Sequence, residues 1–113
     1  MTKDTAIITG GARGMGLATA KVMAADHHIV LTDVDDKKLA TAVKEIESTG
    51  GTAEFVVADI TARAEVDAVF AAAATAGGLR AVVHAAGVSP HMASAEKIIE
   101  INAVGTINVT ESA

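Results

Sequence analysis

The sequence predicts an α/β protein built on a doubly wound parallel sheet, and two observations support this class. Four short runs are rich in valine and isoleucine and almost continuously apolar, as strands buried on both faces are. Each run is followed by a stretch with helical periodicity, and strands that alternate with helices form parallel sheets with right-handed crossovers. The predicted strands are Thr5–Thr9, Ile29–Asp33, Glu54–Asp59 and Arg80–His84.

The segment between the second and third strands has the pattern of a helix that packs on a sheet. Leu39, Val43 and Ile46 fall on one helical face, while the charged residues of the segment point elsewhere. Gly50 and Gly51 follow, and glycine is the residue that most often ends a helix. The sequence therefore predicts a helix that ends just before this glycine pair.

A third helix is predicted from Arg63 to Ala76, because apolar residues repeat there at helical spacing. Thr61 is its predicted N-cap, and Gly77–Gly78 mark its predicted end. The last helix of the chain is apolar around most of its axis, so we expect something outside this sequence to cover it and the chain to associate. The apolar residues of this last helix are Ile98, Ile99, Ile101, Ala103, Val104, Ile107 and Val109.

Composition and charge exclude several functions. The 113 residues amount to one domain, half of them hydrophobic, with a net charge of −5. The nine basic residues are scattered, so neither nucleic acid nor an anionic membrane surface is an expected partner. No cysteine is present to form a disulfide or a thiolate metal site.

No apolar run in the sequence reaches membrane-spanning length, and a cytoplasmic location is predicted. His27 and His28 are adjacent, and on a strand they would point to opposite faces, so they are interpreted as turn residues rather than metal ligands.

The most informative segment is a glycine-rich turn between the first strand and the first helix. Glycine permits positive φ and close approach of another molecule, and the free amides of a helix's first turn attract anions. A pyrophosphate fits this description, and the alternative is a tight strand–helix loop that binds no ligand. Met15 is expected to pack, or to touch the ligand. The residues predicted to bind the ligand are Thr9, Gly10, Gly11, Ala12, Arg13, Gly14, Met15 and Gly16.

Asp33 ends the second predicted strand, 17 positions after Gly16. A carboxylate at about this interval hydrogen-bonds the adenosine ribose in dinucleotide-binding folds. It would repel a 2′-phosphate, so Asp33 favours NAD over NADP, whereas Arg13 could contact that phosphate and favours the opposite choice. The alternative is that Asp33 caps the next helix, for which Asp35 and Asp36 are also candidates.

On these residues, the chain resembles the short-chain dehydrogenase/reductase family over its whole length. The family's Thr-Gly-x-x-x-Gly-x-Gly pattern is matched by Thr9, Gly10, Gly14 and Gly16. The resemblance implies a Rossmann-type cofactor-binding domain over residues 1–113, the N-terminal part of such an enzyme, truncated after about four strands. It also implies hydride transfer between NAD, less favourably NADP, and a small alcohol or ketone substrate.

The resemblance assigns further site residues in the order of the family's motifs. In relatives, the two residues after the third strand contact the adenine, and they correspond to Asp59 and Ile60 here. Asp59 could instead cap the next helix. Asn102 is the implied catalytic residue, because in relatives its main-chain carbonyl holds a water of the proton relay. The further implied cofactor contacts are Val34, Asp59, Ile60, Ala85, Ala86 and Gly87.

Two departures from the family pattern bear on function. The usual Asn-Asn-Ala-Gly appears as His84-Ala85-Ala86-Gly87, so an imidazole and a methyl replace amides that brace the central strands in relatives. The serine and Tyr-x-x-x-Lys pair of relatives have no counterpart, and the chain contains no tyrosine.

Two alternative functions stay open. One is a dinucleotide-binding or interaction module without catalysis, which the missing tyrosine and lysine pair suggests. The other is methyl transfer from S-adenosylmethionine, which is ranked lower because the turn begins Thr-Gly-Gly and extends from Gly10 to Gly16.

Overall fold

The computed structural model describes residues 4–12 and 14–85. Arg13, Ala86, Gly87, Asn102 and the predicted last helix lie outside the described residues. Four strands and three helices alternate along the described chain. They are β1 (Asp4–Thr9), α1 (Gly14–Met23), β2 (His27–Asp33), α2 (Asp36–Ser48), β3 (Thr52–Val57), α3 (Arg63–Ala76) and β4 (Leu79–His84).

The four described strands form one parallel sheet in the order β3-β2-β1-β4. The chain runs from β1 outward through β2 to β3, and then returns past β1 to form β4 on its other side. The direction of winding therefore changes between β1 and β4. In open α/β sheets, the crevice at the carboxyl ends of the strands beside such a change is where ligands bind.

Alternate residues of the central strands face two different layers of helices. Ile8 and Leu31 belong to the core cluster that α1 and α2 cover, whereas Ile7 and Val30 belong to the cluster that α3 covers. All four side chains are fully buried. The sheet is thus covered on both faces, which confirms the predicted α/β doubly wound class and explains why these strands are apolar on both sides.

The predicted end of α2 is confirmed, and its N-cap is one of the three candidates in the sequence. Asp35 is the N-cap, and its carboxylate accepts a hydrogen bond from the Lys38 amide at 3.0 Å. Thr49 is the C-cap, and Gly50 after it has a φ of +91°, a value that favours glycine. Leu39 and Ile46 are fully buried against the sheet.

The predicted bounds of α3 are confirmed, but its predicted N-cap is wrong, because Ala62 rather than Thr61 occupies that position. The Thr61 hydroxyl donates to the Asp59 carboxylate at 2.6 Å, and the Thr61 amide donates to the same oxygen at 2.9 Å. This local turn also ends β3 at Val57, two residues before the predicted end at Asp59. Aspartate favours such turns because its side chain binds backbone amides two residues on.

His27 and His28 begin β2 and are not turn residues, which corrects the sequence interpretation. His28 contacts Thr52 Oγ1 at 2.9 Å and Glu54 Oε1 at 3.0 Å, so both of its ring nitrogens have partners on β3. Over residues 4–12 and 14–85, no three metal-binding side chains are grouped together. In the same ranges, no helix combines the length and apolarity that crossing a membrane requires.

Candidate functional site

The glycine-rich turn begins where β1 ends, at the carboxyl edge of the sheet. Gly10 and Gly14 have φ values of +64° and +61°, which side-chain-bearing residues rarely adopt. A Cβ on Gly16 would lie 2.1 Å from the Gly10 carbonyl oxygen, so α1 packs directly against the turn. A Cβ on Gly14 would meet no atom within 4 Å, so the turn is open on that side.

Two backbone amides fasten this turn to the end of β2. The Gly11 amide donates to the Thr32 carbonyl at 3.1 Å, and a Cβ on Gly11 would lie 2.7 Å from the Leu31 side chain. The Ala12 amide donates to the Asp33 carboxylate at 3.3 Å. The turn and Asp33, which sequence spacing alone associates, are therefore in direct contact.

Asp33 does not cap α2, because Asp35 occupies that position. One carboxylate oxygen of Asp33 accepts from the Val34 amide at 2.7 Å, and the other accepts from Ala12. Each carboxylate oxygen can accept more than one hydrogen bond, so further acceptor capacity is left for a ligand. Val34 is 63% exposed beside it, at the same edge of the sheet.

The residues that follow β3 have clear structural roles. Besides accepting from Thr61, Asp59 donates its amide to the Glu65 carboxylate at 3.1 Å, which ties this turn to the first turn of α3. The Ile60 side chain is 7% exposed and packs with Val66, so it serves the core. Contact of these two residues with adenine stays a prediction.

The end of β4 is joined to the end of β1 by a side-chain hydrogen bond. His84 Nδ1 and Thr9 Oγ1 are 2.7 Å apart, and the two residues are also the last register pair of the strands. Burial lowers the pKa of His84 below its ordinary value of 6.5, so the ring is neutral at pH 7. The imidazole thus braces the strands at the position where the family resemblance implies an amide. Ala85, exposed, follows it.

Two features near the turn were missed by sequence reasoning. Met15 is 82% exposed, which corrects the expectation that it packs in the core; its contact with a ligand stays a prediction. A groove of about 210 Å³ runs between α1 and α2, from Ala12 to Lys37 and Lys38. The only signal in the sequence was the lysine pair itself, which is typical of an ordinary solvated helix surface.

Comparison with known proteins agrees with this arrangement. The profile of the family described as short chain dehydrogenase matches residues 4–113. The chain is 36% identical over 120 residues to the short chain dehydrogenase helC of Aspergillus fumigatus, covering 97% of this chain and 47% of that protein.

Two solved structures have the same fold. A metagenomic short-chain oxidoreductase in complex with NADP matches with a TM-score of 0.85 and 27% identity, over 99% of this chain and 55% of that one. The actinorhodin polyketide ketoreductase with NADPH matches with a TM-score of 0.87 at 23% identity, over 99% and 48%. The chain therefore spans about half the length of these proteins. Because the family profile matches nearly every residue, the chain belongs to the short-chain dehydrogenase family.

Proposed function

We propose that this chain binds a nicotinamide dinucleotide for an oxidoreductase that transfers hydride between the cofactor and an alcohol or ketone. The observation that carries the proposal is the glycine turn beside the β1–β4 crevice, with Asp33 hydrogen-bonded to it. The close packing of Gly16 and the open side of Gly14 fit a cradle of main-chain amides for a pyrophosphate. When bound, the nicotinamide would supply the hydride chemistry.

The chain's own residues would bind and orient that cofactor. The turn from Thr9 to Gly16, with Arg13, would hold the pyrophosphate, and Asp33 with Val34 would hold the adenosine ribose. Asp59 and Ile60 would lie beside the adenine, and Ala85, Ala86 and Gly87 would lie beside the rest of the cofactor. Asn102 would hold a relay water through its carbonyl. These assignments rest on the family's motifs.

We further propose that NAD is preferred to NADP. The Asp33 carboxylate can accept hydrogen bonds from ribose hydroxyls and would repel a 2′-phosphate. The opposing features are Arg13 and the groove with Lys37 and Lys38 beside Ala12, which supply positive charge. The two similar structures named above hold NADP or NADPH, so NADP is the competing cofactor to be measured.

Direct titration with NADH and NADPH tests both proposals. The protein contains no tryptophan or tyrosine, so the fluorescence of the reduced cofactor is measured without their emission. We expect Asp33→Ala to weaken NADH binding by about 5- to 150-fold, the equivalent of about 1–3 kcal/mol for charge-assisted hydrogen bonds, and to strengthen NADPH binding.

Asp36→Ala is the matched control, because it removes the same charge from an exposed position in the first turn of α2. It should leave the ratio of the two affinities unchanged. If the folded protein binds neither cofactor, the proposed function is wrong. If it binds both and Asp33→Ala leaves their ratio unchanged, only the assignment of Asp33 to the ribose is wrong.

Turnover is a separate measurement, because the chain contains no tyrosine for the proton transfer that relatives use. Assay of alcohols with NAD and of ketones with NADH tests the redox reaction. Tight cofactor binding without turnover is expected both of the cofactor-binding part of an enzyme and of a binding module, whereas turnover would exclude a module without catalysis. Association of copies through the last helix and a cytoplasmic location stay predictions from the sequence.

A further inference from the structure

We infer that the Met15 thioether is a modification site for peroxides and that its oxidation to the sulfoxide weakens binding of the dinucleotide. This inference rests on the proposed function, because the ligand whose binding the oxidation controls is the proposed cofactor. Met15 is 82% exposed, the largest value among the large apolar side chains that the structure describes. Peroxides in solution can therefore reach its sulfur, and exposure favours this oxidation.

The flank of α1 on which Met15 lies follows from its neighbours. Gly16 is buried against the glycine turn, with no space for a Cβ. Leu17 lines the groove toward α2, and Lys21, one helical turn later, forms an ion pair with Glu45 of α2 at 2.8 Å. Successive helical residues are about 100° apart, so Met15 and Leu17 lie on opposite sides of Gly16. Met15 is therefore on the flank of α1 that faces away from α2.

This flank borders the proposed cofactor site. In the sheet order β3-β2-β1-β4, α2 packs on β2 and β3, so the side of α1 away from α2 is the side of β4. Side chains of a helix lean toward its N-terminus, and α1 begins at Gly14, so Met15 leans toward the β1–β4 crevice. A Cβ on Gly14 would meet no atom within 4 Å, so there is open space beside it. A dinucleotide held by the amides of the glycine turn would therefore cover the thioether.

The oxidation is a two-electron transfer whose co-reactant is a peroxide. A lone pair of the Met15 sulfur attacks one oxygen of hydrogen peroxide, and the O–O bond breaks. The other oxygen leaves as water, after it has taken the proton of the transferred oxygen. The sulfur is oxidised, the peroxide is reduced, and the apolar side chain becomes a polar sulfoxide. Methionine sulfoxide reductases reverse the change.

A sulfoxide at this position opposes the cofactor in two ways. Its oxygen is a hydrogen-bond acceptor with a partial negative charge, so it repels the pyrophosphate oxygens and competes for the helix amides that would hold them. The Thr19 hydroxyl, one helical turn away, already donates to the Met15 carbonyl at 2.7 Å. A bound dinucleotide would therefore cover a polar group that has lost its water and gained no donor, which costs free energy.

Met23, at the other end of α1, is the matched control. It is partly buried and packs against the core cluster that contains Ala20 and Ala24. Eight residues along a helix span about 12 Å, so its sulfur is remote from the glycine turn. Leucine is close to methionine in volume, so Met15→Leu and Met23→Leu each remove one sulfur with little repacking.

The test titrates NADH before and after treatment with hydrogen peroxide, which is removed by gel filtration, and maps the oxidised methionines by peptide mass spectrometry. Each protein is compared with its own untreated sample. We expect treatment to weaken NADH binding of the parent and of Met23→Leu by at least about fivefold, the cost of one unsatisfied polar group. Treated Met15→Leu should change by less than about twofold, whatever the state of its other methionines. A methionine sulfoxide reductase should restore binding to the oxidised parent.

A second measurement needs no variant. Saturating NAD should slow oxidation of Met15 in the parent protein and leave that of Met23 unchanged, because the bound dinucleotide covers only the first sulfur. If Met15→Leu does not fold, parent samples of graded oxidation decide. Loss of NADH binding in proportion to the Met15 sulfoxide supports the inference, and loss that follows the Met23 sulfoxide instead refutes it.

The outcomes separate this inference from the proposed function. If the untreated parent binds neither NADH nor NADPH, the proposed function fails and the inference fails with it. If the parent binds NADH and the protein with Met15 fully oxidised binds equally tightly, the proposed function stands and the inference is refuted. Equal losses in Met15→Leu and in the parent would also refute it, because another residue would then be responsible.

Discussion

Replacement of Gly16 by alanine tests the contact on which the glycine turn depends. The new Cβ would lie 2.1 Å from the Gly10 oxygen, 2.8 Å from the Gly10 carbon and 3.3 Å from the Gly11 nitrogen. All three neighbours are backbone atoms, so no side-chain rotation relieves the overlap. The closest contact must lengthen to at least 3.0 Å, which moves either α1 or the turn.

Overpacking of this kind lowers stability by about 1–3 kcal/mol. Alanine is a better helix former than glycine by roughly 0.5–1 kcal/mol, which offsets only part of the loss. We therefore expect Gly16→Ala to lower the free energy of unfolding and to weaken NADH binding by more than tenfold, because the displaced atoms belong to the proposed pyrophosphate cradle.

Urea unfolding followed by circular dichroism, together with NADH titration, measures both effects. Gly78→Ala is the matched control, since its Cβ would meet only Asp4 Oδ1 at 3.8 Å, at the opposite edge of the sheet. It should change the free energy of unfolding by less than about 1 kcal/mol in either direction and leave binding intact. A Gly16→Ala protein as stable as Gly78→Ala, with unaltered NADH affinity, would refute the close packing of α1 on the turn.

Three further predictions concern stability. Asp35→Ala should lower the free energy of unfolding by about 1 kcal/mol in urea melts, because it removes the side-chain cap of α2, whereas Asp36→Ala should have a smaller effect. Thr32→Val should raise it by about 1 kcal/mol, because the buried Thr32 hydroxyl has no hydrogen-bond partner among the described residues and valine has nearly the same shape. Burial lowers the pKa of His84 in the folded protein below 6.5. As the pH falls, the unfolded chain therefore takes up a proton on this ring before the folded chain does. The free energy of unfolding should decline from about pH 7 toward the lower pKa of the folded state. Melts at about pH 7.5 and pH 5.5 should show a smaller decline for His84→Asn than for the parent protein.

Each of these predictions has an outcome that contradicts it. Equal losses from Asp35→Ala and Asp36→Ala would mean that charge near the helix N-terminus, rather than the cap bond, stabilises α2. A destabilised Thr32→Val would show that its hydroxyl has a partner. The same pH slope in His84→Asn and the parent protein would place the titrating group elsewhere.

The fold was predictable because its determinants lie close together in the sequence. Ile7 and Ile8 are adjacent, apolar and both fully buried, as expected of a strand covered on both faces, and the spacing of Leu39 and Ile46 indicates one buried helix face. Element ends were less predictable. His28 is polar and was interpreted as part of a turn, but β3 supplies partners for both of its ring nitrogens.

In the candidate site, too, features that depend on neighbouring residues could be predicted, whereas features that depend on distant contacts could not. The glycines could be predicted from sequence because backbone geometry constrains residue type locally, and Asp33 could be predicted from its interval after them. The bond between Thr9 and His84 spans 75 positions and depends on the register of β4 against β1, which no local pattern encodes. The groove with Lys37 depends on how α1 and α2 pack together.

The position of β1 in the sheet also has a consequence for folding. Of the four described strands it is the first to be synthesised, and β2 can pair with it soon afterwards, but its other edge lacks the β4 partner until β4 has been synthesised. Contacts between such distant segments form slowly because a long loop must close first. In the interval, the nascent chain carries an apolar strand with one unpaired edge, a state that is prone to aggregate. Recruitment of β4 is therefore a step at which protection by a chaperone would help this chain to fold.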